Sequence, residues 1–125
     1  MKNNTDENSK HYPQQVLDEF DILITKKLHE AQDEFNSLSE RLNELNENSR
    51  SVLLTDGADA VALEELNILL SRQRILIENL SNALVRVRNK TYGICRETGD
   101  LIPVERLRAV PHTTLSFAAK TRRVA

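Results

Sequence analysis

Tryptophan is absent from this 125-residue sequence, and aromatic residues make up only 4% of it. Cysteine occurs once, and glycine and proline three times each. One cysteine excludes an internal disulfide, so nothing points to an oxidising compartment. The scarcity of aromatic residues argues against a large globular core with a deep catalytic pocket. With so few glycines and prolines to interrupt them, long helices are expected.

Membrane and catalytic signals are also missing. No apolar run approaches the roughly 20 residues that span a bilayer. The opening segment, MKNNTDENSK, lacks the apolar stretch of a signal peptide. The three histidines, His11, His29 and His112, are isolated from one another, and there is no glycine-rich phosphate loop or nucleophile motif. We therefore expect a cytoplasmic protein that is not an enzyme and does not bind membranes.

The charge is unevenly distributed along the sequence, although the formal net charge is only -2. Residues 1–50 carry a net charge of -5, residues 51–85 carry -3, and residues 86–125 carry +6. This split indicates two surfaces with different partners, or simply two solvated faces of opposite sign.

Apolar residues recur every seven positions through the first half of the sequence. They form two rows offset by four, which is the a and d pattern of a coiled coil. A helix of about 35 residues would be roughly 50 Å long, far longer than a small globular core covers. The rows are Leu17, Ile24, Ala31, Leu38 and Leu45, and Leu28, Phe35 and Leu42.

A matching pattern follows a break at residues 54–60, where Gly57 and the polar residues around it suit a turn and a helix cap. Two matched rows around a short break favour an antiparallel hairpin. The alternative, one long helix that dimerises, would carry Gly57 in mid-helix at a cost of about 1 kcal/mol. Gln73 interrupts one row; it could fix the register, but a position at the wet margin of the hairpin is the preferred interpretation. The second rows are Leu63, Leu70, Ile77 and Leu84, and Leu66, Gln73, Leu80 and Val87.

The composition changes near Lys90, and the predicted organisation has three parts. Residues 1–14 form a disordered or loosely attached tail, residues 15–90 the coiled-coil hairpin with its tip at 54–62, and residues 91–125 a small C-terminal module with a final helix. Within the module, Pro103 is placed to open a short helix over 104–110. The fold class is therefore mainly α. The module is expected to pack around Tyr92, Ile94, Leu101, Ile102, Leu107, Leu115 and Phe117.

The stretch 91–116, TYGICRETGDLIPVERLRAVPHTTLS, closely resembles the C-terminal module of the DksA/TraR family. The family pattern is Tyr-Gly-x-Cys-x-x-Cys-Gly-x-x-Ile, then Arg-Leu-x-Ala-x-Pro, then x-x-Leu-Cys-x-x-Cys. The glycine and proline positions agree as well as the apolar ones, and the preceding hairpin agrees in layout. The resemblance implies a regulator that binds bacterial RNA polymerase in its secondary channel, as a monomer and without contacting specific DNA.

The zinc site of the family is degenerate in this sequence. Matching the pattern places Cys95, Thr98, Ser116 and Ala119 at the four ligand positions. A structural zinc site needs four ligating side chains, and this set offers one thiol. We therefore expect no zinc, and we interpret Cys95 as a small buried apolar residue.

The resemblance also extends to the hairpin tip. Many members carry Asp-x-x-Asp-x-Ala there, acting on elements of the polymerase active centre. This sequence has Asp56 and Asp59 at the two acidic positions, with Val61 in place of the final alanine. The resemblance thus implies that Asp56 and Asp59 work near the active centre, whereas capping of the second helix is the alternative.

Some members of the family bind the alarmone guanosine tetraphosphate where they meet the polymerase. A basic residue that the family places before the last proline is Val110 here, whereas the one after the last zinc ligand is retained as Lys120. Arg86, Arg88 and Lys120 are the candidate polymerase or alarmone contacts, and alarmone binding stays open.

Two other classes of function compete with the polymerase regulator. The basic C-terminal third suits a nucleic-acid-binding protein, although it lacks interleaved aromatic residues and the pI is only about 5.9. A dimeric coiled-coil scaffold is the other class, and it would double the 14.3 kDa mass in solution.

Overall fold

The computed structural model describes residues 10–52 and 57–124, with side chains described over 10–47 and 60–121. Four helices are present in this part: α1 (Gln14–Val52), α2 (Gly57–Asn89), α3 (Val104–Ala109) and α4 (Phe117–Val124). The two long helices pack antiparallel, so the prediction of a mainly α protein with a helical hairpin is confirmed. Within the described ranges, no helix has a segment long and apolar enough to cross a membrane.

The chain divides into two compact units, each of which contains part of both long helices. The hairpin unit comprises residues 28–78. The base unit comprises, among the described residues, 10–27 and 79–124.

Side chains from α1 and α2 meet inside the hairpin unit. Its fully buried apolar residues are Ala31 and Leu38 from α1 and Leu70 from α2, all members of the predicted rows. Gln73 Nε2 donates a hydrogen bond to the carbonyl oxygen of Ala31 at 3.2 Å. This bond links the two helices and is a second hydrogen bond to a carbonyl that already accepts one within its own helix. The polar residue in the second row is therefore a contact between the helices rather than a purely solvated side chain.

The base unit has a denser core. The rings of Phe20 and Tyr92 lie 5.3 Å apart between centroids, and both residues are fully buried. The Tyr92 hydroxyl donates to the carbonyl oxygen of Pro111 at 2.8 Å, which satisfies the one polar group that this ring carries inward. The other buried apolar residues of the base unit are Leu17, Ile24, Leu80, Ala83, Leu84, Val87, Cys95, Ile102, Leu107 and Ala119.

The prediction that Phe117 belongs to the core of the module is wrong. Phe117 is 70% exposed, while Ala119, two residues later on α4, is buried. Because successive helical residues are separated by about 100°, positions two apart point in nearly opposite directions. The helix therefore turns its small residue inward and its aromatic residue outward. Of the other predicted core residues, Tyr92, Ile102 and Leu107 are buried and Ile94, Leu101 and Leu115 are half-buried.

Helix α2 ends in a Schellman-type turn. Lys90 adopts a left-handed backbone conformation with φ of 65°, and the N–H of Thr91 donates to the carbonyl oxygen of Arg86 at 2.9 Å. Beyond it, Ile94 and Leu101 form an isolated antiparallel bridge, and Pro103 precedes α3 as predicted. The turn redirects the chain from the hairpin into the module.

The segment before α1 contacts the module. The Tyr12 hydroxyl donates to the carbonyl oxygen of Ile102, and Lys10 forms an ion pair with Asp100. Gly93 has φ of 82°, and a Cβ atom placed on it would lie 2.8 Å from the Tyr12 ring. A residue without a side chain is therefore needed at position 93 for Tyr12 to pack there.

Candidate functional site

The four degenerate zinc-ligand positions are joined by hydrogen bonds in the base unit. The backbone N–H of Ser116 donates to Cys95 Sγ at 3.4 Å, and the N–H of Ala119 donates to Ser116 Oγ at 3.2 Å. The Thr98 side chain is hydrogen-bonded to the Cys95 thiol. The structure thus brings together the four positions that the sequence aligned, with Cys95 and Ala119 fully buried.

The Cys95 thiol lies among several donors. Burial raises its pKa, but hydrogen bonds outweigh that effect and lower the pKa to about 6. The donors are the side chain of Thr98 and the backbone N–H groups of Ser116, Thr98 and Glu97. Bonds of this kind favour the charged form of a thiol because they stabilise the developing negative charge on sulfur.

A basic cleft of about 430 Å³ lies elsewhere in the base unit. Arg86 and Lys120, two of the three predicted contact residues, line it, whereas the third, Arg88, is exposed and does not. Two further arginines, Arg96 and Arg106, complete its positive lining. The remaining lining residues are Asn79, Asn82, Val110, His112, Thr113, Thr114 and Leu115.

Backbone carbonyls hold two of the cleft arginines. Arg106 Nε donates to the carbonyl oxygen of Leu115 at 2.9 Å, and Arg86 Nη2 approaches that of His112 at 3.5 Å. Burial lowers the pKa of Arg86, an effect that Tyr92 partly offsets, and the guanidinium remains charged at neutral pH. These contacts fix positive groups around a common space, which suits an anionic partner.

His112 adds no positive charge to this cleft at neutral pH. Burial and the nearby positive charge of Arg86 lower the pKa of its imidazole. Its Nδ1 atom is buried and has no hydrogen-bond partner. The imidazole is therefore neutral under conditions in which Arg86 stays charged.

The hairpin turn lies between Val52, where α1 ends, and Gly57, where α2 begins. Asp56 lies outside the described residues. Asp59 belongs to the first turn of α2, and its side chain is also outside the described part. Helix α2 therefore begins inside the predicted break at residues 54–60, and Gly57, which was expected in the turn, is its first residue.

Comparisons with known proteins agree with this architecture. Residues 90–125 match the family described as the prokaryotic DksA/TraR C4-type zinc finger. The chain is 30% identical over 122 residues to general stress protein 16O of Bacillus subtilis (strain 168), a match that covers 93% of this chain and 68% of that protein. The solved structure of transcription factor DksA2 from Pseudomonas aeruginosa overlays with a TM-score of 0.71 at 31% identity, covering 86% of this chain and 81% of that one. The chain belongs to the DksA/TraR family.

An RNA polymerase-binding relative matches a shorter part of the chain. The RNA polymerase-binding transcription factor DksA of Caulobacter vibrioides (strain NA1000 / CB15N) is 47% identical over 51 residues, which cover 41% of this chain and 36% of that protein. The chain is thus homologous to polymerase-binding transcription factors, while this match spans only about a third of the Caulobacter protein.

The zinc that gives the DksA/TraR finger its name does not fit the residues of this member. Tetrahedral structural zinc is held by four thiolate, imidazole or carboxylate ligands. The four positions here offer one thiol, two hydroxyls and one methyl group. In the part of the chain that the structure describes, no group of three or more His, Cys, Asp or Glu residues is placed to hold a metal ion. Hydrogen bonds between Cys95, Thr98 and Ser116 connect the positions that zinc would otherwise link.

Sequence reasoning missed Arg96, and it identified Arg106 only as part of the basic C-terminal third and not as a member of a cleft. Arg106 occupies the arginine of the family's Arg-Leu-x-Ala-x-Pro pattern, and Arg96 directly follows Cys95. Both come from segments distant in sequence from Arg86 and Lys120, so no spacing rule groups the four. The conspicuous signal was the charge of +6 over residues 86–125, which identifies a basic region but not a cleft.

Proposed function

We propose that this chain regulates transcription by binding bacterial RNA polymerase, with its helical hairpin inserted in the secondary channel and Asp56 and Asp59 acting near the active centre. The observation that carries the proposal is the hairpin of α1 and α2 with acidic residues at its turn, in a chain that overlays on DksA2 over 86% of its length. The protein acts by binding rather than by catalysis, as the DksA transcription factors do.

A helical hairpin suits this task physically. Helix α1 has 39 residues and is therefore about 58 Å long, while two packed helices are only about 20 Å across. Such an element reaches deep into a narrow channel. Two carboxylates alone bind Mg²⁺ weakly, but they contribute beside substrate phosphates or displace nearby catalytic elements.

The basic cleft gives the base unit a second role in this proposal. We assign Arg86, Arg88 and Lys120 to contacts with acidic polymerase surface or with guanosine tetraphosphate. The convergence of Arg86 and Lys120 with Arg96 and Arg106 supports an anionic partner. Val110 lines the same cleft in place of a basic residue, which weakens phosphate binding relative to family members that have one.

Nucleic-acid binding is the less favoured use of this cleft. Binding of single strands normally combines positive charge with aromatic rings on which bases stack. The described lining contains no Phe, Tyr or Trp side chain. The cleft thus has the charge but lacks the stacking surfaces, and polymerase or a small phosphorylated ligand is the better partner.

The proposal is tested by the lifetime of promoter complexes formed by purified polymerase. Wild-type protein is expected to shift the lifetime, and Asp56→Asn/Asp59→Asn is expected to bind the polymerase without that effect. The matched control is Glu40→Gln/Glu44→Gln, which removes two exposed carboxylates from α1 well before the turn. It is expected to act like the wild type, because its turn is intact.

Two outcomes would contradict the proposal. If the protein does not bind polymerase at micromolar concentration, the resemblance reflects a shared fold without a shared function. Equal activity of the wild type and Asp56→Asn/Asp59→Asn would show that regulation does not depend on the acidic turn.

A further inference from the structure

An exposed apolar stripe runs along α2 in the hairpin unit. Val61, Ile68 and Ile75 are 56%, 46% and 57% exposed and are spaced by seven residues. Seven residues are close to two helical turns, so the three side chains lie on one face. That face is nearly opposite the rows of α2 that contain Leu66 and Leu70, which point towards α1. The hairpin therefore leaves an unpaired heptad row on its outer surface.

Charged residues flank this stripe in a fixed order. Glu65 and Arg72 follow Val61 and Ile68 by four residues each, so both lie on the same side of the stripe. Both are exposed, and neither forms an ion pair with another described residue. Along the helix axis, this flank therefore carries a negative group before Ile68 and a positive group after it.

This order of charges is complementary to itself when reversed. In an antiparallel pair of helices related by a two-fold axis near Ile68, a given flank meets the same flank of the partner running in the opposite direction. Glu65 lies about 4.5 Å before Ile68 along the helix axis and Arg72 about 6 Å after it. Glu65 of each copy would therefore stand opposite Arg72 of the other, with the three apolar residues between the helices.

A parallel pair lacks this match. Parallel packing sets the Glu65–Arg72 flank against the opposite flank of the partner, where Ala60 and Asn67 carry no charge and Glu64, at nearly the same level as Glu65, carries a like charge. We propose that a second copy of this chain packs antiparallel on the Val61–Ile68–Ile75 face. This dimer of hairpins differs from a dimer of single long helices, because each copy keeps its own α1–α2 hairpin.

The proposed dimer is weak and has a regulatory consequence. Only two heptads contribute, so association is expected at about 10–500 μM rather than at nanomolar concentration. If the proposed function holds, two hairpins side by side are too wide for a channel that admits one. Self-association would then withhold the protein from the polymerase, and the form that binds the polymerase would be the monomer.

The test is sedimentation equilibrium of the full chain up to about 500 μM. Wild-type protein is expected to shift from 14.3 kDa towards twice that mass as concentration rises. Glu65→Arg alone and Arg72→Glu alone each place like charges opposite each other, so each is expected to weaken dimerisation at least tenfold. A mixture of the two variants is expected to restore it, because each then finds a complementary partner. Glu44→Arg, an exposed reversal on α1, is the control and is expected to dimerise like the wild type.

Three results would overturn the dimer. Wild-type protein that remains at 14.3 kDa throughout would do so, as would single variants that associate like the wild type. A mixture of the two variants no more associated than each alone would exclude the antiparallel pairing. None of these measurements involves polymerase, so their failure leaves the promoter-complex experiment unaffected, and the reverse is also true.

Discussion

The base unit and the hairpin unit bury apolar side chains to very different extents. Of the fully buried apolar residues in the described part of the chain, twelve belong to the base unit and three to the hairpin unit. Four large apolar residues of the hairpin unit, Val61, Ile68, Leu69 and Ile75, are exposed, against three in the larger base unit. The same two helices therefore contribute to a dense core in one unit and to an open surface in the other.

The base unit therefore supplies most of the buried core that stabilises the fold, whereas the hairpin unit presents exposed surface to partners. Regions with few buried apolar contacts open locally at lower free energy than the core, and binding elements are commonly drawn from them. The base unit has the aromatic pair, the hydrogen-bonded Cys95 and the basic cleft. Among its described side chains, the hairpin unit has a ring–guanidinium contact, Arg74 over Phe35 at 5.3 Å, and a hydrogen bond from Gln73 across its seam.

The largest loss of stability is expected from a substitution in the core of the base unit. Tyr92→Ala removes a buried ring and leaves the carbonyl of Pro111 without its donor, so it should lower the free energy of unfolding by about 3–5 kcal/mol. Ile75→Ala, at an exposed position in the hairpin unit, should change it by less than about 0.5 kcal/mol. Urea denaturation followed by circular dichroism measures both. Similar losses of unfolding free energy in the two variants would contradict the difference in packing between the two units.

A smaller loss of stability is expected where the segment before α1 packs on the module. Gly93 and Gly99 both have positive φ, but only a Cβ atom on Gly93 would collide with the Tyr12 ring. Gly99→Ala should therefore cost about 1 kcal/mol, from backbone strain alone. Gly93→Ala should cost at least about 2 kcal/mol, with strain and the lost packing of Tyr12 combined.

A double-mutant cycle assigns that difference to Tyr12. In a Tyr12→Ala background, the excess cost of Gly93→Ala over Gly99→Ala should largely disappear, because no ring remains to be displaced. An excess that persists would mean that Leu107, 3.3 Å from the same Cβ position, is the residue that matters.

The smallest effect is a pH dependence confined to the base unit. The folded-state pKa of His112 lies below its unfolded value of about 6.5, so the unfolded chain binds the proton more readily. The contribution of the neutral imidazole is complete above pH 6.5 and is lost progressively as pH falls below that value. His112→Gln should therefore reduce the decrease in unfolding free energy between pH 7 and pH 5. His29→Gln, at an exposed position in the hairpin unit, should retain the wild-type decrease.

Heptad periodicity predicted the hairpin correctly because apolar residues at spacings of three, four and seven align on a helix whatever their partner. The short helix after Pro103 followed from the fixed φ of proline, and its observed range ends one residue before the predicted Val110. Local pattern was thus sufficient for the helices, although the second long helix already begins at Gly57, inside the predicted break at residues 54–60.

The contacts that could not be predicted join residues far apart in sequence. Tyr12 packs on Gly93, and Arg96 and Arg106 line one cleft with Arg86 and Lys120. Phe117 was placed in the core from its apolar character alone, because the rotation of α4 depends on its packing and not on local spacing. The resemblance identified Lys120 and the basic charge of the C-terminal third indicated Arg86, but only the folded chain shows that they share a cleft.

The central claim is that the turn of the hairpin reaches the polymerase active centre. The most direct test attaches an iron chelate to Asp59→Cys and maps the cuts that it makes in bound polymerase. Wild-type protein taken through the same labelling is the control, because its single Cys95 is buried. If the turn reaches the active centre, the cuts are expected in the segments around the catalytic Mg²⁺. Cuts confined to the outer surface of a polymerase that binds the labelled protein would contradict it.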